Sequence, residues 1–304
     1  MKYRQLGKTD VRVSVIGIGT WQFGGEWGKI FEQAEVDAML GKASELGINL
    51  VDTAECYGDH LSEQLIGRAI NGQRDKWIIA TKFGHRFKPN FERDCLFEPE
   101  QVQGQLEESL RSLKTDYVDL YQFHSGTDDM FDIPGLWDML EKQVKSGKVR
   151  HLGISISSKQ DRIYQVDKSS TVGAEAIQVV YNRIERKPEE KIFDSCIRQN
   201  LGVLARVPLA SGFLSGKYNK ESKFTGSDVR SIRQDEMAKL IDEVAKIKSE
   251  VPQGTSMAQW ALAWCLRNPA VTCVIPGCKT VEQVESNAMA ADLPDISDDH
   301  QQAI

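Results

Sequence analysis

Ile48-Asn49-Leu50-Val51-Asp52, continuing into Thr53-Ala54-Glu55-Cys56-Tyr57-Gly58, is a short apolar run that ends on a carboxylate. Gly47 separates it from Gln33–Leu46, a segment with apolar residues at helical spacing: Val36, Met39, Leu40, Ala43 and Leu46. Glu63–Ile70 has helical character in turn. A strand so short and so nearly all-apolar suits a parallel sheet buried on both faces.

The same unit repeats outward from this stretch. Val15–Gly19 precedes it, and Trp77–Thr81, Tyr117–Phe123, Val149–Ile154, Ala176–Val180, Leu201–Ala205 and Val271–Ile275 follow as strand candidates. Between and after them lie helical segments at Glu98–Leu113, Pro134–Ser146, Lys159–Val166, Pro188–Gln199, Ser231–Ser249, Ser256–Leu266 and Val281–Ala290, with Pro99 well placed at a helix start. Eight strand candidates in 304 residues favour a (β/α)8 TIM barrel, although element order alone leaves a doubly wound sheet open. No strand is followed by the glycine pattern of a dinucleotide-binding βαβ unit. Without a composition break, linker or repeat, residues 1–304 read as a single domain.

Composition narrows the function. A net charge of -6 argues against a nucleic-acid surface, which needs a basic patch. There is no apolar run of membrane-spanning length and no opening signal-peptide pattern. The six cysteines are scattered, as reduced thiols would be, so the expected setting is soluble and cytoplasmic, with no membrane partner.

In such a barrel the chemistry collects just past the carboxyl ends of the strands. Those positions hold Asp52 with Glu55 and Tyr57 behind it, Thr81-Lys82, His124, Ser155, and Gln178 followed by Tyr181 and Asn182. A buried Lys82 needs an anionic partner, which Asp52 can supply. Held near the Tyr57 hydroxyl, Lys82 would favour the phenolate and lower its pKa toward physiological values. Tyr57 could then protonate a forming alkoxide while His124 aligns the carbonyl. Each residue alone has a plain structural reading; the ordered set is far more specific. A metal hydrolase would want converging histidines, but only His124 of the five sits clearly at a strand end, so no metal is expected. A serine hydrolase lacks its G-x-S-x-G elbow.

From Tyr3 to Leu293 the sequence resembles the aldo-keto reductases. The likeness is carried by IGIGTW ending at Trp21, NLVDTAECYG (49–58), IATKFG (79–84), DLYQFH (119–124), HLGIS up to Ser155, IQVVYN around Gln178, PLASGFLSGKY (208–218) and VIPG (274–277). It implies a (β/α)8 barrel whose amino-terminal face is capped by a hairpin, here Tyr3–Val15. It also implies direct hydride transfer between NADP(H), with NAD(H) use admitted, and a small carbonyl or alcohol substrate, in a monomer. The family tetrad falls on Asp52, Tyr57, Lys82 and His124. Carried over by position, Ser155 and Gln178 hold the nicotinamide carboxamide, and Pro208, Leu209, Ser211, Gly212, Ser215 and Lys217 wrap the pyrophosphate. Gly277, Lys279, Gln283 and Asn287 take the adenosine end, and Trp21 lines the substrate side of the cofactor site.

Three positions depart from the family pattern. Ile156 stands where Asn is common, Arg206 where an aromatic ring packs on the nicotinamide, and Gln283 where an arginine meets the 2′-phosphate. Lys279 and Arg230 are the substitutes for that arginine. Trp27 and Phe87, with Glu26, Glu55 and Arg86, are further expected pocket residues, and His85–Phe97 and Tyr218–Gln234 are candidate lids or partner surfaces. The branch most resembled is the bacterial inositol-operon and general-stress type, and more distantly the potassium-channel beta subunits. The latter implies a second role, a cofactor-occupied regulatory or partner-binding subunit with slow turnover.

Overall fold

The structure, a computed structural model, describes residues 1–157 and 162–293. Strands β1 (Tyr3–Gln5) and β2 (Arg12–Ser14) form an antiparallel hairpin. Its inward side chains, Leu6 and Val13, are buried with Leu50, Ala80, Leu120, Ala176, Leu204 and Cys273 inside the barrel. Burying each such side chain stabilises the plug by roughly 1.5–3 kcal/mol. Gly7 lets the hairpin sit this close: its φ is +58°, and a Cβ there would meet the Gly202 nitrogen at 2.2 Å.

The chain then runs through β3 (Ile18–Gly19), α1 (Gln33–Glu45), β4 (Leu50–Asp52), α2 (Leu61–Ala69) and β5 (Ile78–Phe83). A second antiparallel hairpin, β6 (His85–Phe87) with β7 (Arg93–Cys95), precedes α3 (Pro99–Leu113) and β8 (Val118–His124). Next come α4 (Asp128–Phe131), α5 (Leu136–Lys145), β9 (Val149–Ser155), α6 (Ile163–Asp167), β10 (Ala174–Val180), α7 (Ile192–Gln199) and β11 (Gly202–Arg206). The last unit is α8 (Gln234–Ile247), α9 (Met257–Arg267), β12 (Cys273–Ile275) and α10 (Val281–Met289).

Eight parallel strands order as β3-β4-β5-β8-β9-β10-β11-β12. Bridges Ile16–Val274 and Gly19–Gly277 bring the last strand back to the first and close the barrel. The helices bury their apolar stripes on its outside. Local signals set several boundaries: α1 and α3 both begin with a capping box, Glu32/Glu35 and Glu98/Gln101, and α3 has proline in its first turn.

The expected strands and helices appear, with shifted ends. β5 runs on through Lys82 and Phe83, and β8 through His124, which carries both side chains on ordered strand instead of loop. His85–Phe97, a candidate mobile lid or partner surface, contains the β6–β7 hairpin. Leu96 N–H tied to the Gly84 carbonyl at 2.8 Å secures its return. The start of the Lys159–Val166 helix lies outside the described residues, and α6 begins at Ile163. Among the described residues no helix is long and apolar enough to cross a membrane.

Candidate active site

Asp52 is the last residue of β4, and Lys82 is the penultimate residue of β5. Alternation along these strands turns both side chains into the barrel, where Lys82 is completely buried and Asp52 nearly so. The Lys82 ammonium donates to Asp52 Oδ2 at 2.8 Å, to the Thr53 carbonyl at 2.5 Å and to the Tyr57 hydroxyl at 3.3 Å. The other Asp52 oxygen accepts from the amides of Gln178 at 2.6 Å and Gln122 at 3.2 Å. Burial alone would lower the Lys82 pKa, but the charge of Asp52 and the hydrogen bonds to Asp52 and Tyr57 more than reverse this and raise it. The ammonium therefore stays charged.

Tyr57 differs from expectation in one respect. Burial pushes its phenol up to about 12, and Lys82 pulls in the other direction without overcoming it. The hydroxyl keeps its proton at neutral pH, as a proton donor must. Its place is set by two bare backbones in contact. A Cβ on Gly24 would meet the Tyr57 carbonyl carbon at 2.5 Å, and Gly58, with φ +67°, would collide with the Gly24 oxygen at 2.4 Å. Trp21 stacks on the Tyr57 ring at 5.9 Å between centroids, and its indole N–H donates to Glu26 at 2.8 Å. Arg93, from β7, binds both oxygens of Glu26 at 2.6 and 2.7 Å.

His124 ends β8 with its ring edge-on to Tyr57, 6.2 Å away. Burial, then the charges of His85, Lys82, Arg206 and Arg93, hold its pKa well below the usual value, so the imidazole is neutral. Glu55, Cys56 and His124 bring three potential ligand atoms within 4.8 Å of one another. Lys82, Arg206 and Arg93 add positive charge around this group.

These groups open into a cavity of about 550 Å³ that runs across the barrel mouth. Asp52, Tyr57, His124, Gln178, Trp21 and Arg206 all line it. Pro208, Leu209, Ser211, Gly212, Ser215 and Lys217 line the same cavity, as do Gly277, Lys279, Gln283 and Asn287. Ser155 lies behind the wall, nearly fully buried, and donates to Gln178 at 3.3 Å. The pocket residues Phe87 and Arg86 fall in the β6–β7 hairpin and do not line the cavity; Trp27 does.

The loop after β11 bends through consecutive left-handed residues, Ala210 (φ +46°), Ser211 (+58°) and Gly212 (+92°). Non-glycine residues there carry strain, which persists where the surroundings enforce it. Beyond the loop, the Lys279 ammonium has its pKa lowered by burial and then by Arg230, with Lys217 and Lys29 adding repulsion. Two buried donors on the cavity wall, Asn287 Nδ2 and Trp27 Nε1, have no hydrogen-bond partner. A crowded cation cluster and idle donors fit an acceptor-rich anionic ligand.

Sequence reading missed Gln122, Arg93 and Ser125, the last a cavity-lining residue whose N–H donates to the Ser155 carbonyl at 2.7 Å. Gln122 was findable, because Leu120, Gln122 and His124 share one face of β8 by the two-residue period. Arg93 and Ser125 lie in irregular or hairpin sequence with no such signal.

Fold and cavity together define a (β/α)8-barrel protein with its site at the carboxyl-terminal mouth. The chain belongs to the aldo/keto reductase family, which it matches over residues 15–304. It is 31% identical to the aldo-keto reductase YhdN of Bacillus subtilis (strain 168), over 94% of this chain and 87% of that protein. It is likewise 31% identical to aldo-keto reductase yakc [NADP(+)] of Schizosaccharomyces pombe, over 93% and 85%. Among solved structures, the holo form of aldo-keto reductase AKR11C1 from Bacillus halodurans superposes with a TM-score of 0.84 at 29% identity, covering 99% of this chain and 94% of that one.

Proposed function

We propose that this oxidoreductase reduces an aldehyde or ketone with Tyr57 as the general acid, using NADP(H) in preference to NAD(H). The observation that carries the reading is the Lys82 ammonium shared between Asp52 and the Tyr57 hydroxyl, facing a cavity that His124 also lines. The nicotinamide, when bound, supplies the hydride to the carbonyl carbon. Tyr57 gives its proton to the carbonyl oxygen, and the resulting phenolate is stabilised by Lys82, whose charge Asp52 holds in place. Neutral His124 donates a hydrogen bond to the same oxygen and fixes its direction.

Gln178, backed by Ser155, is placed to hold the carboxamide, and the Pro208–Lys217 loop to hold the pyrophosphate through backbone N–H groups and Lys217. Lys279 supplies the positive charge that a 2′-phosphate requires, in place of the absent arginine, with Arg230, ion-paired to Asp228 at 2.5 Å, beside it, and Asn287 takes the adenosine end. The NADP(+) in the name of the yakc relative supports the same preference.

The test is NADPH oxidation across a panel of aldehydes and ketones, with Tyr57→Phe alongside. Loss of a positioned general acid lowers kcat by roughly 10²–10⁴-fold, while the NADPH affinity read by tryptophan fluorescence stays the same. Failure to bind either nicotinamide cofactor would sink the reading.

A further inference from the structure

Glu55 is only 2% exposed, three residues past Asp52, and takes no part in the proton transfer described above. One of its oxygens accepts from the His85 backbone N–H at 2.8 Å. The other, Oε2, is buried and has no hydrogen-bond partner. That idle atom lies 3.9 Å from Nδ1 of His124. Among the described residues, the other polar atom near Nδ1 is the Cys56 sulfur at 3.8 Å, a weak partner. A neutral imidazole must carry its single proton on one nitrogen or the other, and whatever bonds one nitrogen decides the other's role.

We propose that Glu55 is a positioning residue for His124: as a carboxylic acid it donates from Oε2 to Nδ1, which fixes the imidazole proton on Nε2, the nitrogen turned away from Glu55 toward the substrate oxygen. The separation is too long for a hydrogen bond, and an approach of about 1 Å makes one. Only the Nε2–H tautomer can donate to a carbonyl. With Glu55 ionised, the carboxylate would instead accept from Nδ1–H and leave a lone pair on Nε2 facing the substrate oxygen, which repels it.

The surroundings keep the acid form available. Burial raises the Glu55 pKa to about 8; the His85 N–H opposes this, Glu63 on α2 adds to it, and Lys82 on β5 opposes it. Cys56, His60 and the Tyr121 phenol on β8 also feel its charge, and Arg93 on β7 faces Cys56 and His124. None of these places a full positive charge in contact with Oε2. The proposal rests on the carbonyl-reduction reading for its consequence, but not for its test.

The test is nitrogen NMR of imidazole-labelled protein, with the His124 signals identified by their loss in His124→Gln. At about pH 6.5 the wild-type resting protein should show the Nε2–H tautomer, changing to Nδ1–H as pH passes through about 8. Glu55→Gln keeps an acceptor for the His85 N–H and a permanent donor for Nδ1, so its tautomer should not change with pH. In turnover, the fall of kcat with rising pH should disappear in Glu55→Gln, and Glu55→Leu should lose roughly tenfold or more at all pH values. An Nδ1–H tautomer in the wild type at low pH, or the same pH response in wild type and Glu55→Gln, overturns the proposal. If Glu55→Gln does not fold, the wild-type titration decides alone. If no carbonyl turns over, the function reading fails and the tautomer result still decides this one.

Discussion

Arg206 donates a hydrogen bond from Nη2 to the carbonyl oxygen of Ile156 at 3.1 Å. Two of the three departures from the family pattern are therefore one linked feature. Arg206 ends β11, Ile156 follows β9, and the backbone contact between them steadies the guanidinium on the cavity wall. The Ile156 side chain is buried away from solvent, so its carbonyl, and not its side chain, is what the pairing uses.

That charge should discriminate between cofactor redox states. The oxidised nicotinamide ring is cationic and the reduced ring is neutral, so a guanidinium beside it disfavours the oxidised form. At about 4 Å, two unit charges in a watery setting repel by about 1 kcal/mol, roughly fivefold in affinity. Arg206→Gln should therefore tighten NADP+ binding relative to NADPH by about that factor. Fluorescence titration of both forms with both proteins measures the ratio; an unchanged ratio places Arg206 away from the ring.

The Asp52–Lys82 pair sets a second expectation. Removing one member of a buried ion pair leaves the other uncompensated, at roughly 3–5 kcal/mol. Lys82→Met and Asp52→Asn should each lower stability by about that amount, and the double variant by clearly less than the sum. Urea unfolding of the four proteins closes the cycle. Additive losses would show that the two charges are not coupled.

Glu55 gives a pH dependence of stability. Its folded pKa of about 8 lies above the ordinary 4.5, so between those values the native state holds a proton the unfolded chain has released. Its contribution is full below the lower value and is lost as pH rises through the upper. Glu55→Gln carries no such loss. Its unfolding midpoint relative to wild type should improve between about pH 5 and about pH 9, as denaturation at the two ends would show.

Lys279 is expected to choose between the two nicotinamide cofactors. Charge-assisted bonds contribute about 1.5–3 kcal/mol, so Lys279→Ala should weaken NADPH by about tenfold or more and NADH much less. Lys279 also donates to the Trp27 carbonyl at 2.5 Å, so a part of the loss common to both cofactors reports that contact. Equal weakening of both would remove Lys279 from phosphate recognition.

The site was legible in the sequence where strands carry it. Asp52, Lys82 and His124 are polar residues at the ends of largely apolar runs, and burial on both faces of a parallel sheet makes such residues conspicuous. The acidity of Tyr57 was not legible, because Lys82 is visible in the sequence and the depth of burial that outweighs it is not. Arg93 and Glu26 pair across 67 residues from segments without periodicity, so nothing local announces them. The β6–β7 hairpin likewise shows no alternation of apolar and polar residues, and its pairing rests on backbone bonds.

The contact between Gly24 and Gly58 has a consequence for how this pocket could be remodelled. The backbone at Tyr57 is held against the Gly24 backbone, at two positions where any added carbon collides. Trp21, by contrast, meets Tyr57 through a stacked ring. Variation at Trp21 and along the rim can therefore retune which carbonyl compounds are accepted while Tyr57, the proposed proton donor, keeps its place. Residues 24 and 58 allow no such freedom: laboratory selection for new substrates should leave both glycines untouched.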